Sequence, residues 1–189
     1  MNIGFAVTGS FCTLQKILQI IKELKQKGHN VVPILSPSVL TMDTRFGKAA
    51  DFRAKLEAET GNVVIDSLIA AEPVGPNNMI DILVIAPCTG NTLSKLSNAI
   101  TDTAPTMVAK AHMRNNKPLV IAISTNDGLG FNLMNVAKLV AAKNIYFVPF
   151  GQDDYVNKPK SLIADYDLIE QTLEKAMQGQ QLQPIILRG

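Results

Sequence analysis

The chain has 189 residues, 47% hydrophobic and 18% charged, with a formal net charge of +2. That balance predicts one globular domain with a full core. Its dispersed basic residues and 5% aromatics exclude an extended nucleic-acid surface. No apolar run is long enough for a membrane helix, and the start MNIGFAVTGS enters a strand without the basic region of a signal peptide. Two cysteines, Cys12 and Cys88, make no disulfide framework, so the expected setting is a reducing cytoplasm.

In chain order, residues 2–8 read as a first strand, with Gly9-Ser10-Phe11 as its turn. Leu14, Ile17, Leu18, Ile21 and Leu24 then recur at helical spacing up to Gly28, a C-terminal stop. Residues 31–35 form a second strand, ending at Ser36-Pro37-Ser38. Residues 44–60 look helical and close at Gly61; residues 63–71 are ambiguous between strand and short helix; residues 72–78 read as a loop. The run Ile82-Leu83-Val84-Ile85-Ala86 is apolar and rich in β-branched residues, as in a strand covered on both faces, and is expected to stop at Pro87. A helix follows through Leu93, Leu96 and Ile100, and another spans 103–115. The rest reads as a strand at 119–123, a loop at 124–130, a helix at 131–142, a strand at 145–148, a polar loop at 150–161 and a last helix at 165–177. Strands alternating with helices predict an α/β fold with a single doubly wound, mostly parallel sheet flanked by helices. The domain is expected to occupy 1–178, with 179–189 as a mobile tail.

In open sheets of this kind ligands bind outside the carboxyl ends of the strands. Several of those ends carry small polar residues here. The first loop holds Gly9 and Ser10, without the glycine spacing of a dinucleotide fingerprint. The second strand ends in Ser36 and Ser38, hydroxyls with no carboxylate to hold a ribose diol, which suits a monophosphate better than a dinucleotide. After Pro87, the residues Thr89, Asn91 and Thr92 precede a helix whose first N–H groups and dipole favour an anion. Ser124, Thr125 and Asn126 end a further strand. Each loop is also acceptable as a plain turn or helix cap. The decisive expectation is that Ser10, Ser36, Asn91 and Ser124 meet in one crevice.

The remaining chemistry-bearing residues have plainer readings. His29 is expected in a solvated loop and His112 on a helix surface or cap. Cys12 is expected to be a small buried residue. Cys88 lies near a helix start that lowers a thiol's pKa, but it too is expected to pack rather than react. No spacing of His, Cys and carboxylates suggests a metal. Asp153, Asp154, Lys158 and Lys160 read as a solvated loop or a charged lid.

Thr8-Gly9-Ser10 and the motif Pro87-Cys88-Thr89-Gly90-Asn91-Thr92, trailed by Lys95-Leu96-Ser97-Asn98-Ala99-Ile100-Thr101-Asp102, resemble the homo-oligomeric flavin-containing cysteine decarboxylases and their relatives. The resemblance covers the chain to about residue 150. It implies a Rossmann-like flavoprotein fold with FMN as cofactor. The resemblance places the phosphate near Ser10 and Ser36 and the ribityl chain near Thr89, Asn91 and Thr92. Gly9, Phe11, Ser38, Pro87, Ser124 and Thr125 would also belong to the cofactor site. It also implies a homo-oligomer built from trimers. Residues 123–128 (ISTNDG) and 150–161 (FGQDDYVNKPKS) resemble the members of spore-forming bacteria that oxidise a small cyclic dicarboxylate with a separate pyridine-nucleotide-binding subunit. On that reading Asn126 orients a substrate carboxylate and Lys158 or Lys160 supplies the cation. Two departures stand out. The family's catalytic histidine has no counterpart, because residues 63–81 contain none, and of its Pro-Ala-Met-Asn motif only Asn126 remains. Both argue against cysteine decarboxylation. They leave a non-catalytic docking partner, or an altered decarboxylase or prenyltransferase, as alternatives.

Overall fold

The computed structural model describes residues 1–187. Its sheet runs in the order β2-β1-β3-β4-β7-β6, with β5 also paired to β4. Here β1 is Asn2–Val7, β2 Asn30–Leu35, β3 Ile82–Cys88, β4 Leu119–Thr125, β5 Ile145–Phe147, β6 Phe150–Gly151 and β7 Leu162–Ala164. β1 to β5 pair in parallel, as the alternating pattern predicts. Every residue of β3 is buried, which is why its sequence shows no polar alternation.

Helices cover both faces. α1 (Leu14–Gln26) buries Leu14, Ile17, Ile21 and Leu24 and ends before Gly28, whose φ of +83° is a backbone setting that favours glycine. α2 (Pro37–Thr41), α3 (Ala49–Thr60) and α4 (Leu68–Ala71) follow β2. α5 (Gly90–Ser97) and α6 (Ala104–Arg114) follow β3; α7 (Asn132–Val140) follows β4; α8 (Ile169–Met177) follows β7. The chain steps outward from β1 to β2, then back past β1 to β3. The switch between β1 and β3 is where such a sheet opens a crevice.

Four differences from the sequence reading have physical causes. β3 does not stop at Pro87. A register shift between Ile85 and Cys88 against β4 lets the strand pass a residue that has no N–H to donate. The helix expected over 44–60 begins at Ala49, because a bridge between Thr44 and Gly47 makes a tight turn first. The polar loop at 150–161 is the connection of an antiparallel pair: β6 pairs with β7, and β7 pairs with Ser124 and Thr125 of β4. The tail expected to be mobile is held to the sheet as far as residue 187. Gln181 accepts from the Phe147 N–H (2.8 Å) and donates to the Phe147 carbonyl (2.7 Å), and Leu187 N–H donates to the Phe150 carbonyl (2.9 Å).

Candidate functional site

The residues after β1, β3 and β4 meet at the carboxyl edge of the sheet. The buried Thr8, following β1, locks β3's end. Its Oγ1 donates to the Pro87 carbonyl at 2.7 Å and accepts from the Thr89 N–H at 3.0 Å. Thr89 in turn caps α5, its side chain accepting from the Thr92 N–H. With β3 held below, the β1 loop reaches across it. Ser10 Oγ, from the loop after β1, and Ser124 Oγ, near the end of β4 two strands away, share a hydrogen bond of 2.8 Å.

Around that pair opens a crevice of about 300 Å³. Gly9, Ser10, Cys12 and Thr89 form one side, and Ser124, Thr125 and Asn126 another. Asp153, Lys158, Ser161, Leu162 and Ile163, from the β6–β7 connection and β7, form the third. A larger groove of about 540 Å³ lies between α7 and the final residues, but Leu133, Val136, Phe150 and Ile186 make it apolar, with few groups to orient a reacting molecule.

Of the four side chains expected to converge, Ser10 and Ser124 do. Ser36 is buried, 3.1 Å from Ser38 Oγ, and it is Ser38 that stands behind Gly9, where a Cβ would lie 2.8 Å from Ser38 Oγ. Asn91 is exposed on the first turn of α5 and does not line the crevice. Phe11 is half-buried and lines a different, small cavity with Val39 and Phe52. Pro87 takes part through its carbonyl alone, and Thr92 is buried with its hydroxyl 3.2 Å from that of Thr89. Thr125 and Asn126 line the crevice; Thr125 Oγ1 also accepts from the Asp127 N–H. A Cβ on Gly90 would lie 2.7 Å from Thr125 Oγ1, so glycine is what lets α5 start so close to β4.

Lys158 is on the crevice wall, 3.0 Å from Asp153. Ser161 donates to the same carboxylate at 2.5 Å; that bond first, and Lys158 second, hold Asp153 below the usual carboxylate range. Lys160 does not line the crevice. Two expectations are corrected here, those for Cys12 and His112. Cys12 is exposed on the crevice wall rather than buried. Cys88 packs as expected: it is buried inside β3, and burial pushes its thiol up, away from the reactive thiolate a helix start would favour. His112 is 2% exposed, not a surface residue; its Nε2 pairs with the Pro118 carbonyl at 2.9 Å. His29 is half-buried, beside the N-terminal amine. No group of metal-ligating side chains occurs among the described residues.

Ser161 and Tyr166 escape the sequence reading, and Asp153 enters it only as part of a solvated loop or charged lid. Asp153 and Ser161 are brought in by antiparallel pairing late in the chain, for which the apolar triplet Leu162-Ile163-Ala164 is the available signal. Tyr166 lies just after β7 and is 7% exposed. Its hydroxyl is buried without a hydrogen-bond partner among the described residues. Burial raises its pKa, and the nearby hydroxyls of Ser124 and Thr13 oppose that rise.

Comparison with known proteins fits this geometry. Residues 1–174 match the Flavoprotein family. The chain belongs to that family. Among flavoproteins it is 50% identical to the B subunit of dipicolinate synthase from Bacillus subtilis (strain 168), over all of this chain and 94% of that one. The crystal structure of the corresponding B subunit from Bacillus halodurans superposes with a TM-score of 0.91 at 45% identity, covering 99% of this chain and 96% of that one. An FMN-dependent cysteine decarboxylase, SpaF, shares the fold with a TM-score of 0.68 at 20% identity, covering 93% and 97%. No helix among the described residues is long and apolar enough to cross a membrane.

Proposed function

We propose that this flavoprotein binds FMN and acts as the B subunit of a dipicolinate synthase, working with the A subunit to oxidise dihydrodipicolinate to dipicolinate in a sporulating cell's cytoplasm. The observation that carries the reading is the Ser10–Ser124 hydrogen bond above the locked end of β3. It brings a hydroxyl of the β1 loop and one of the β4 end together over the carboxyl edge of the sheet, beside its switch point, where a phosphorylated guest is favoured. Two close approaches fit a narrow guest. Gly9 stands against Ser38, and Gly90 against Thr125, where any side chain would intrude. The TM-score of 0.91 to one dipicolinate synthase B subunit, and the 45–50% identity to two of them, support the substrate class and the partner.

FMN, when bound, would supply the electron-accepting ring. The chain's own residues would hold and orient. Gly9, Ser10 and Ser124 would receive the phosphate end, with Ser36 and Ser38 supporting them from behind, and Thr89 and Thr125 would follow the chain. Phe11, Pro87, Asn91 and Thr92 would act only by shaping the loops that carry these groups. Asn126, on the open side, would orient a carboxylate of a small dicarboxylate substrate. Lys158 would meet the second carboxylate by exchanging it for Asp153. The exposed apolar side chains of Phe131, Met134, Tyr155 and Val156 support a homo-oligomer, trimer-based as the family resemblance implies.

The test is a titration of the purified chain with FMN, followed by the absorbance and fluorescence of the flavin. Saturable uptake, and dihydrodipicolinate oxidation that needs both partners and falls in Lys158→Ala, is the expected result. Full activity of the A subunit without this chain would overturn the catalytic part, and a chain indifferent to FMN would overturn the flavin part.

A further inference from the structure

When Lys158 exchanges Asp153 for a substrate carboxylate, the side chain of Asp153 is left uncovered in the crevice. We propose that Asp153 is the base of the reaction: it takes the ring proton that must leave as a dihydropyridine becomes a pyridine, and Lys158 uncovers it when the substrate arrives. The assignment rests on the oxidation proposed above and supplies its proton acceptor.

Turning a dihydropyridine dicarboxylate into its pyridine breaks two C–H bonds. One hydrogen leaves as hydride with both electrons of its bond, and these reduce the flavin ring of the proposed cofactor. The other leaves as a proton, and its bonding pair becomes the new double bond of the oxidised ring. That proton needs an acceptor in the crevice. Among the residues that line it, only Cys12, Asp153 and Lys158 carry acid–base side chains. Lys158 is already protonated, and its pair with Asp153 keeps it so. A thiol is a poor acceptor until it ionises, whereas a carboxylate is ionised throughout the neutral range.

The two oxygens of Asp153 have separate partners. Oδ1 accepts from Ser161 at 2.5 Å and Oδ2 from Lys158 at 3.0 Å. Losing Lys158 to the substrate therefore frees Oδ2 while Ser161 still fixes the carboxylate. The freed oxygen is the one that faced the ammonium now holding the substrate, so it looks onto the ring. Before the exchange, Ser161 and then Lys158 hold Asp153 below the usual carboxylate range. Withdrawal of the cation and approach of the substrate's own carboxylates both raise its proton affinity. Nothing charged opposes that rise among the described residues lining the crevice: the β1 loop adds Cys12, and β4 and β7 add uncharged side chains. The adjacent Asp154 has the same sign and is engaged by Asn157. When product leaves and Lys158 returns, the restored pair drives the proton off.

Asp153→Asn keeps the shape of the side chain and loses the base. With FMN and the A subunit present, its turnover falls by about a hundredfold or more, while its FMN affinity stays that of the wild type. Asp153→Glu restores part of the turnover. A loosened loop would also slow the reaction, so the deciding readout is proton uptake by the flavin-free chain as it binds dipicolinate, from calorimetry in two buffers of different ionisation heat. At about pH 5 the wild type takes up more protons per dipicolinate than Asp153→Asn does, and the difference fades by about pH 8. Wild-type turnover in Asp153→Asn overturns the base, and so does equal proton uptake in the two proteins. Loss of FMN affinity alongside turnover makes Asp153 a cofactor-holding residue and overturns it too. A chain indifferent to FMN that still takes up the Asp153-dependent proton keeps the acceptor and sinks the flavin reading. A chain that binds FMN but not dipicolinate keeps the flavin reading and sinks the base. A chain that binds neither overturns both.

Discussion

At their amino ends the strands carry Asp81, His112 and Lys117 beside them; at their carboxyl ends they carry Ser10, Thr89 and Ser124. The amino-end groups are strongly polar, yet each is committed to backbone. Asp81 accepts from the Asn2 N–H at 2.7 Å, His112 Nε2 pairs with the Pro118 carbonyl, and Lys117 Nζ donates to the Ile80 carbonyl at 2.5 Å. The carboxyl-end hydroxyls are milder, but several bond to one another, at 2.8 Å for Ser10 and Ser124 and 3.2 Å for Thr89 and Thr92. A hydroxyl bonded to a hydroxyl keeps accepting capacity for a guest; a charge bonded to a strand carbonyl mainly closes an edge. Polarity therefore does not mark the site. What marks it is a group of hydroxyls at the carboxyl edge that bond to one another and keep accepting capacity.

The comparison breaks most visibly in acid. Burial holds the His112 imidazole down, to about 4, against an ordinary value of 6.5. The unfolded chain thus binds the proton first as pH falls, and stability drops between pH 6.5 and 4 by up to about 3 kcal/mol. Denaturant unfolding across that range should show the slope, and His112→Gln should flatten it. At a pH where both remain folded, flavin affinity should be the same in the two proteins, because His112 serves the opposite edge. Next in size is Thr8→Val. It leaves the Pro87 carbonyl and Thr89 N–H without the hydroxyl that joins them, costing about 2 kcal/mol. Because those groups position the crevice floor, FMN affinity should fall as well, unlike in His112→Gln. Equal affinity in Thr8→Val would mean the floor does not position the guest.

The amino-to-carboxyl polarity of the sheet was legible because it is local. β-branched runs mark β1 to β4, and the glycines and hydroxyls at their ends mark the loops. Gly9, Ser10, Thr89 and Ser124 were all readable in this way. Asn91 shares its chemistry with its neighbours Thr89 and Thr92 in sequence, while helix rotation turns it to solvent. The third wall was hidden for another reason. Its pairing, Ser124 with Ile163 and Phe150 with Ala164, joins short strands of two and three residues that carry too little periodicity to announce themselves. His112 was read as a surface residue because a helix register does not reveal that Pro118's carbonyl waits at its end.

Smaller effects sharpen the contrast between the crevice's own walls. Gly90→Ala places a methyl group 2.7 Å from Thr125 Oγ1 and 2.6 Å from Asn132 Nδ2, both ends of movable side chains. The cost to stability should stay near ~1 kcal/mol. Thr125 must move, however, so FMN titration should register a change that the unfolding curve barely shows.

Asp153→Asn should cost least, because its partner Lys158 is exposed and such pairs contribute only about 0–1 kcal/mol. Its carboxylate is nevertheless held ionised by Ser161 and then Lys158, so its contribution is present above the ordinary carboxylate pKa and is lost as pH falls through the lowered one. At neutral pH the variant should therefore loosen the β6–β7 connection alone. Hydrogen exchange should quicken at residues 153–161 and stay unchanged in β1, β3 and β4. If exchange instead rises across the sheet, the third wall is part of the rigid body, and Lys158 is not free to trade its carboxylate for a substrate's.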